Sequence, residues 1–152
     1  MQTINKQPEN MGGVLRIWAV PPTDISVSGN CLTFLSDANL VDIYIKEDSA
    51  NFSEDISKSF AGTSYKVELS AIVPCDTPET LKQISDMERR SKYLVIYMDG
   101  NGNYKLAGTK PVPLRFSAKA TTGSGTSGLN HFSISFTGSQ RKRAVFIENP
   151  FV

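Results

Sequence analysis

The chain has 152 residues, of which 39% are apolar and 20% are charged, and its net charge is +1. This composition is typical of a globular protein that is long enough to bury its own core. No apolar run approaches the ~20 residues that a membrane-spanning helix requires, and the polar start lacks the apolar core of a signal peptide. We therefore predict one domain over residues 1–152, with a flexible arm at 1–12, cytoplasmic synthesis and no membrane partner.

The charge is divided unevenly along the chain. Residues 1–91 carry 13 acidic and 8 basic residues, a balance of −5, whereas residues 92–152 carry 2 acidic and 8 basic residues, a balance of +6. Such a division is typical of a half that binds nucleic acid, or of opposite faces that meet in a self-assembly. Alternatively, the two halves are interleaved in one fold and their charges mix on its surface.

Strand patterns dominate the chain from its start. The β-rich run GGVLRIWAV comes first, and the short segments DISVSG and CLTFL follow it between turn residues. In LVDIYIKE and YKVELSAIVP, apolar residues alternate with more polar ones. This period of two predicts strands that pack one face against the core and expose the other face to solvent.

The period changes in the segment CDTPETLKQISDMERRSK. Asp76 and Glu79 have the spacing of a capping box, and Pro78 is tolerated in the first turn of a helix. An apolar stripe at every third position follows, formed by Leu81, Ile84 and Met87. We predict an amphipathic helix of about four turns that packs its apolar stripe onto a sheet.

The next segment, YLVIYMDGNGNYKLAGT, contains a strand pattern, a tight turn and a second strand pattern. Asp99, Asn101 and Asn103 stand at positions 1, 3 and 5 of a calcium-binding EF-hand loop. However, Tyr104 occupies position 6, where glycine is required, and Lys110 occupies position 12, where a bidentate glutamate belongs. Asp-Gly and Asn-Gly pairs between alternating runs are strong hairpin signals, so we predict a β-hairpin and no calcium site.

The glycine-rich stretch ATTGSGTSGLNHF raises the question of a nucleotide site. Gly123, Gly125 and Gly128 have the spacing of a dinucleotide-binding turn, which requires a helix after it to hold the pyrophosphate. The residues that follow alternate like a strand, and Leu129 and Asn130 stand where a Walker A loop needs Lys and Ser or Thr. We therefore predict a long, mobile hairpin tip between two strands, suited to ordering against a partner, and a final edge strand at AVFIENPFV.

Little in the chain indicates catalysis. Cys31 and Cys75 are isolated, and we predict that both are buried small apolar residues. His131, the one histidine, is predicted to be an ordinary strand-end residue without a catalytic partner. The three bases at 141–143 are fewer than a nucleic-acid patch requires, so we predict a solvated turn or a salt-bridging rim. We predict no enzyme, no cofactor and no metal site.

The layout of the chain resembles tailed-phage and prophage tail proteins, of the tail tube, tail-completion or minor tail protein type. The resemblance is carried by IYIKEDSANFSEDISKSFAGTSYKVELSAIVP and by the strand, Gly-Asn hairpin, Thr-Gly loop and F-x-G strand that run from YLVIYMDGNGN to FTGSQRKRAVFI. It covers roughly residues 40–150. It implies a mainly β fold with one flanking helix, as a β-sandwich or partial barrel, whose subunits form rings or a tube through sheet edges and loops.

This resemblance also implies the partners. They are further copies of the chain in a ring, for which a hexamer is one option, and other tail proteins, with DNA only as passing cargo and the virion or a tail-like particle as the destination. We assign the assembly contacts to the loops at 48–63 and 121–130 and to the basic turn. The candidate residues are Asn51, Phe52, Glu54, Phe60, Gly62, Thr122, Gly123, Gly125, Gly128, Arg141, Lys142 and Arg143.

An alternative is a stand-alone binding module for carbohydrate or peptide, built on the same sandwich. Such a module would use exposed aromatic side chains as its binding platform. The candidate residues for that platform are Trp18, Tyr44, Tyr97 and Tyr104.

Overall fold

The structure is a computed structural model, and it describes residues 1–4, 12–74, 77–122 and 130–151. Within these residues the chain forms eleven strands, one α-helix and a short 3-10 helix at Pro22–Asp24. The strands are β1 (Val14–Val20), β2 (Ile25–Ser28), β3 (Cys31–Phe34), β4 (Val41–Ile43), β5 (Asn51–Ser59), β6 (Gly62–Val73), β7 (Lys92–Asp99), β8 (Tyr104–Ala107), β9 (Leu114–Thr121), β10 (His131–Gln140) and β11 (Val145–Ile147). Helix α1 (Pro78–Arg90) connects β6 to β7.

Nine strands form one antiparallel network that folds over into two layers. The first layer has the order β4-β1-β7-β8-β11, and the second has the order β9-β10-β6-β5. The layers are joined at the start of β7, where Lys92 and Tyr93 pair with the start of β9. Among the described residues the network does not close into a barrel. The predicted mainly β fold with one helix is therefore confirmed, in its sandwich form.

The main hydrophobic core lies between the two layers. Alternate residues of β6 enter it, while Lys66 and Glu68 of the same strand remain exposed, so the predicted period of two is confirmed. The same holds for β9 and β10, whose aromatic residues meet at the centre of the core. Buried members from the two inner faces include Ile17, Val67, Leu69, Ala71, Val95, Tyr97, Phe116, Phe132, Ile134 and Phe136.

A second core lies on the outer face of the first layer. The β2–β3 hairpin covers this face, and Ile25 and Leu32 pack there against Trp18, Leu94 and Ile96. Strand β7 is thus covered on both faces, which explains why it has a continuous apolar run rather than an alternating one.

Helix α1 begins one residue later than the capping pattern predicts. Thr77 is its N-cap, and its hydroxyl accepts a hydrogen bond from the Thr80 amide at 3.2 Å; the predicted cap Asp76 lies outside the described residues. Ile84 and Met87 are buried as predicted, but Leu81 is 52% exposed. A stripe at every third position drifts around a helix of 3.6 residues per turn, so its first member leaves the buried face.

The two predicted hairpins, β7–β8 and β9–β10, are present, and β2 and β3 form a further one that was not predicted. In the turn between β7 and β8, Asp99 Oδ1 accepts hydrogen bonds from the Asn101 and Asn103 amides, both at 2.9 Å. Strands β2 and β3 pair as a hairpin. Strands β9 and β10 pair from His131 opposite Thr121 onward, while the tip at 123–129 lies outside the described residues. Residues 5–11 of the predicted flexible arm also lie outside them.

Most of the segment at 48–63 is strand rather than loop, and it is the polar hairpin that leads into the alternating strand beginning at GTSY. It forms most of a long hairpin in which β5 pairs with β6 from Asn51 opposite Ser70 to Ser59 opposite Gly62. Gly62 has a φ of +118°, a backbone conformation that favours glycine at such a tight turn. The run of Ser, Asp and Lys residues resembles a loop because its outer half is exposed to solvent, yet the ladder with β6 holds it as a strand.

Candidate assembly surface

The outer half of the β5–β6 hairpin extends beyond the sandwich. Every residue from 55 to 63 is exposed, including Ile56 at 50% and Phe60, which is fully exposed at the tip. No described strand other than β6 pairs with β5. A two-stranded ribbon is marginally stable by itself in water, and an open strand edge invites pairing with another chain.

Two of the predicted site residues meet at the root of this hairpin. The Glu54 side chain is only 8% exposed, and its carboxylate lies 3.9 Å from the Arg143 guanidinium. The same carboxylate accepts a hydrogen bond from the Ala144 amide at 3.3 Å, and Arg143 lies over the Tyr65 ring at 4.7 Å. The turn after β10 therefore holds the base of the hairpin, and the predicted salt-bridging rim is confirmed at Arg143.

Below this root, Phe52 packs against Tyr97 with ring centroids 4.6 Å apart. Tyr97 is 3% exposed, and burial raises the pKa of its phenol well above the usual range, with Glu54 and Asp99 adding to the effect. Burial likewise raises the pKa of Tyr93. Both phenols are therefore held in the neutral form by the fold.

The stability of the fold should consequently decrease in alkaline solution. The unfolded chain loses these phenolic protons near pH 10, while the folded chain retains them, so their contribution is complete below about pH 10 and is lost as pH rises toward the folded-state pKa. Urea unfolding at about pH 8 and about pH 11 measures this loss. The Tyr97→Phe variant should show a shallower pH dependence, and an equal dependence in both proteins would contradict the assignment.

The β5–β6 turn and Thr122, a described residue of the other candidate arm, lie at opposite ends of the second layer. The β5–β6 turn follows Ser59, opposite the start of β6, whereas Phe132, at the start of β10, pairs with Val73 at the end of β6. Thr122 therefore lies at the end remote from Phe60. The structure does not bring these two candidates together, and Gly123, Gly125 and Gly128 lie outside the described residues.

Opposite edges of the first layer carry opposite charge. Residues 37–48 run from the segment before edge strand β4 to the crossing into the second layer, where the Lys46 amide donates to the Ile72 carbonyl of β6 at 2.7 Å. They contain four acidic residues and one basic residue, although Arg16 pairs with Asp42 at 2.8 Å. Residues 141–148, around edge strand β11, contain three basic residues and one acidic residue, and Lys105 of β8 lies 4.4 Å from the Phe146 ring centroid. The division of charge in the sequence thus becomes a difference between two sheet edges.

Each of these edges also presents an aromatic side chain. Tyr44 follows β4 and is 77% exposed, and Phe146 lies in β11 and is 60% exposed. Ile56 and Phe146 are not among the residues that were predicted for the assembly surface. The sequence does contain a signal for them, since each is a large apolar residue in a polar or basic segment that forms or adjoins an edge strand of the sheet.

The structure corrects the prediction that both cysteines are buried. Cys31 is exposed rather than buried, because Leu32 takes the inward position in the short strand β3. Its thiol lies 3.5 Å from a Glu148 carboxylate oxygen, and this hydrogen bond and the nearby negative charge raise the pKa of Cys31. Cys75 lies outside the described residues. His131 opens strand β10, as predicted.

The aromatic residues considered for a binding module do not form one platform. Trp18 and Tyr97 are buried, on opposite faces of the first layer. Tyr104 is half-buried and stacks on Trp18 with centroids 5.9 Å apart. Of the four candidates, Tyr44 alone is exposed.

In the described ranges, no group of three or more His, Cys, Asp or Glu side chains could hold a metal ion. The helix in the described part of the chain is not long and apolar enough to cross a membrane. No protein-family model, no curated protein and no solved structure matches the chain.

Proposed function

We propose that this protein is a structural subunit that assembles with copies of itself into rings or a tube, as its resemblance to phage tail proteins implies. The observation that carries this proposal is the outer half of the β5–β6 hairpin, which exposes Ile56 and Phe60 and leaves a nine-residue edge unpaired among the described residues. A monomer gains little by extending such a ribbon into water. A second subunit would cover both the edge and the aromatic tip.

The charges of the first layer support a head-to-tail arrangement. The base-rich edge around β11 of one copy is complementary to the acid-rich edge around β4 of the next, whereas two identical edges would bring like charges together. Complementary charge favours encounter in one orientation and disfavours the other. Head-to-tail contacts generate closed rings or open helical assemblies, which are the forms that the proposal requires.

The remaining assignments follow from the same proposal. The hairpin tip at Phe60 and Thr122, the residue before the glycine loop, lie at opposite ends of the second layer, so the two arms would reach neighbours in opposite directions. Other tail proteins would bind at the ends of the assembly, and DNA would be passing cargo. The assembly role of the glycine loop stays a prediction.

Light scattering behind size exclusion, over a concentration series at low and high salt, tests this function. We expect large species that dissociate as salt rises, because salt screens exposed charge pairs, and negative-stain images of rings or tubes. A protein that stays monomeric under every condition would contradict the proposal.

Two charge-reversal variants test the orientation of the contact. One carries Lys105→Glu and Lys142→Glu at the basic edge, and the other carries Glu47→Lys and Asp48→Lys at the acidic edge. Each variant alone should fail to assemble because its two edges now carry like charge, and an equimolar mixture should assemble again. Assembly of either variant alone, or no recovery on mixing, would contradict the head-to-tail contact.

A further inference from the structure

A cavity of about 430 Å³ lies beside the basic turn, at the junction of the two layers. Its walls come from the β2–β3 hairpin, from β6, β7 and β8, and from the turn between β10 and β11. Buried Val67, Leu94 and Leu106 line its interior, while Val27 and Val145 are 40% and 44% exposed. This volume lies in the range of protein sites that bind small organic molecules in a mostly apolar lining.

Three basic side chains also line this apolar cavity, from Lys110, Lys142 and Arg143. The Arg143 guanidinium is directed to Glu54 and Tyr65, so its charge is largely compensated. In the part of the chain that the structure describes, neither lysine forms an ion pair. Two exposed lysines without an ion-pair partner therefore line a mostly apolar cavity, and their positive charge attracts an anion.

The connector between β8 and β9, which carries Lys110, is held in place by a buried amide. Gln140 is 3% exposed; its amide nitrogen donates to the Val112 carbonyl at 2.7 Å, and its amide oxygen accepts from the Thr109 hydroxyl at 3.4 Å. Gly108 has a φ of +89°, and a Cβ there would lie 2.9 Å from Leu94 Cδ2. The cavity wall is thus formed before any ligand binds.

We propose that this cavity binds an organic anion, with one carboxylate or similar head group on an apolar body. The head group contacts Lys110 and Lys142, and the apolar body packs on Val27, Leu94 and Leu106. This inference concerns binding to a single subunit, but Lys142 also belongs to the base-rich edge of the proposed assembly contact. The binding measurements therefore use protein below the concentration at which it assembles.

Calorimetric titration with three probes tests the chemistry of the ligand. The probes are 4-phenylbutyrate, its uncharged analogue 4-phenylbutanamide, and inorganic phosphate. We expect saturable binding of 4-phenylbutyrate, binding of the amide that is roughly tenfold weaker because two exposed ion pairs are lost, and no binding of phosphate. Equal binding of the acid and the amide, binding of phosphate alone, or no saturable binding of any probe would overturn the proposal.

Variants locate the site. The double variant Lys110→Gln and Lys142→Gln should weaken 4-phenylbutyrate binding roughly tenfold. The matched control, Lys58→Gln and Lys82→Gln, removes two exposed lysines that do not line the cavity and should leave the affinity unchanged. Val27→Trp, at an exposed strand position, should block binding by filling the cavity. Equal affinities in the two double variants, or full binding to Val27→Trp, would show that the anion binds elsewhere.

Discussion

Phe60→Ala is expected to abolish assembly while leaving the folded subunit intact. Phe60 is at the tip of the β5–β6 hairpin, and its side chain is fully exposed in the single subunit. If a neighbouring subunit covers it, it is the aromatic anchor of that contact, and removing such an anchor typically costs about 2–4 kcal/mol of binding free energy. That cost corresponds to a loss of affinity of about 30-fold to 1,000-fold. Light scattering at a concentration where the unaltered protein is fully assembled measures the effect.

The control for this prediction is Lys58→Ala on the same hairpin. Lys58 is also exposed and lies two residues before Phe60, so this variant tests whether any truncation near the tip has the same consequence. We expect it to assemble at close to the normal concentration. If Phe60→Ala assembles normally, the hairpin tip is not part of the interface. The proposed assembly would then be supported only by the open sheet edges.

Phe136→Ala is expected to destabilise the fold by about 3–5 kcal/mol. Phe136 is 0% exposed, and its ring lies 5.2 Å from that of Phe116 and 6.3 Å from that of Tyr93. These three residues come from β10, β9 and β7, so truncating Phe136 would leave a new cavity in the core where the two layers join. Since a domain is stable by only about 5–15 kcal/mol, the variant should lose a large part of its stability in urea unfolding.

The matched comparison for Phe136→Ala is Phe60→Ala, the same chemical change at an exposed position. In the monomer, Phe60→Ala should alter the free energy of unfolding by no more than about 0.5 kcal/mol. Phe136→Ala should thus reduce the stability of the fold, whereas Phe60→Ala should reduce assembly and leave the stability of the fold nearly unchanged. A similar loss of stability in both would mean that Phe60 packs inside the subunit, and the proposed role of the hairpin would have to be abandoned.

Predictions from local patterns succeeded where the pattern itself determines the structure. The period of two in β6, β9 and β10 separated buried from exposed residues, because successive side chains of a strand point to opposite faces. The turn at Asp99 was predictable because its carboxylate bonds the backbone amides of the residues that follow it. The helix near Pro78 was also predicted from a local pattern, although its N-cap is Thr77 rather than the predicted residue and Leu81 leaves its buried stripe.

Predictions that depended on a distant neighbour were less successful. Strand β5 has a polar outer half and no packing signal, and its pairing with β6 alone holds it as a strand. Cys31 was expected in the core, but the two-stranded hairpin that carries it has only one covered face. The candidates Glu54 and Arg143 were selected separately, and nothing in the sequence indicated that they meet at the base of the hairpin.

The sequence alone determined the class of the fold, most of its strands, its helix and the uneven division of charge, because these follow from local periodicity and composition. The tertiary structure alone decided which strands are covered on both faces, which sheet edges stay open and where the charged residues lie on the surface. These features arise when distant segments pack: β1 and β7 receive a second layer from the β2–β3 hairpin, and the acid-rich and base-rich segments come to lie at opposite edges of one sheet.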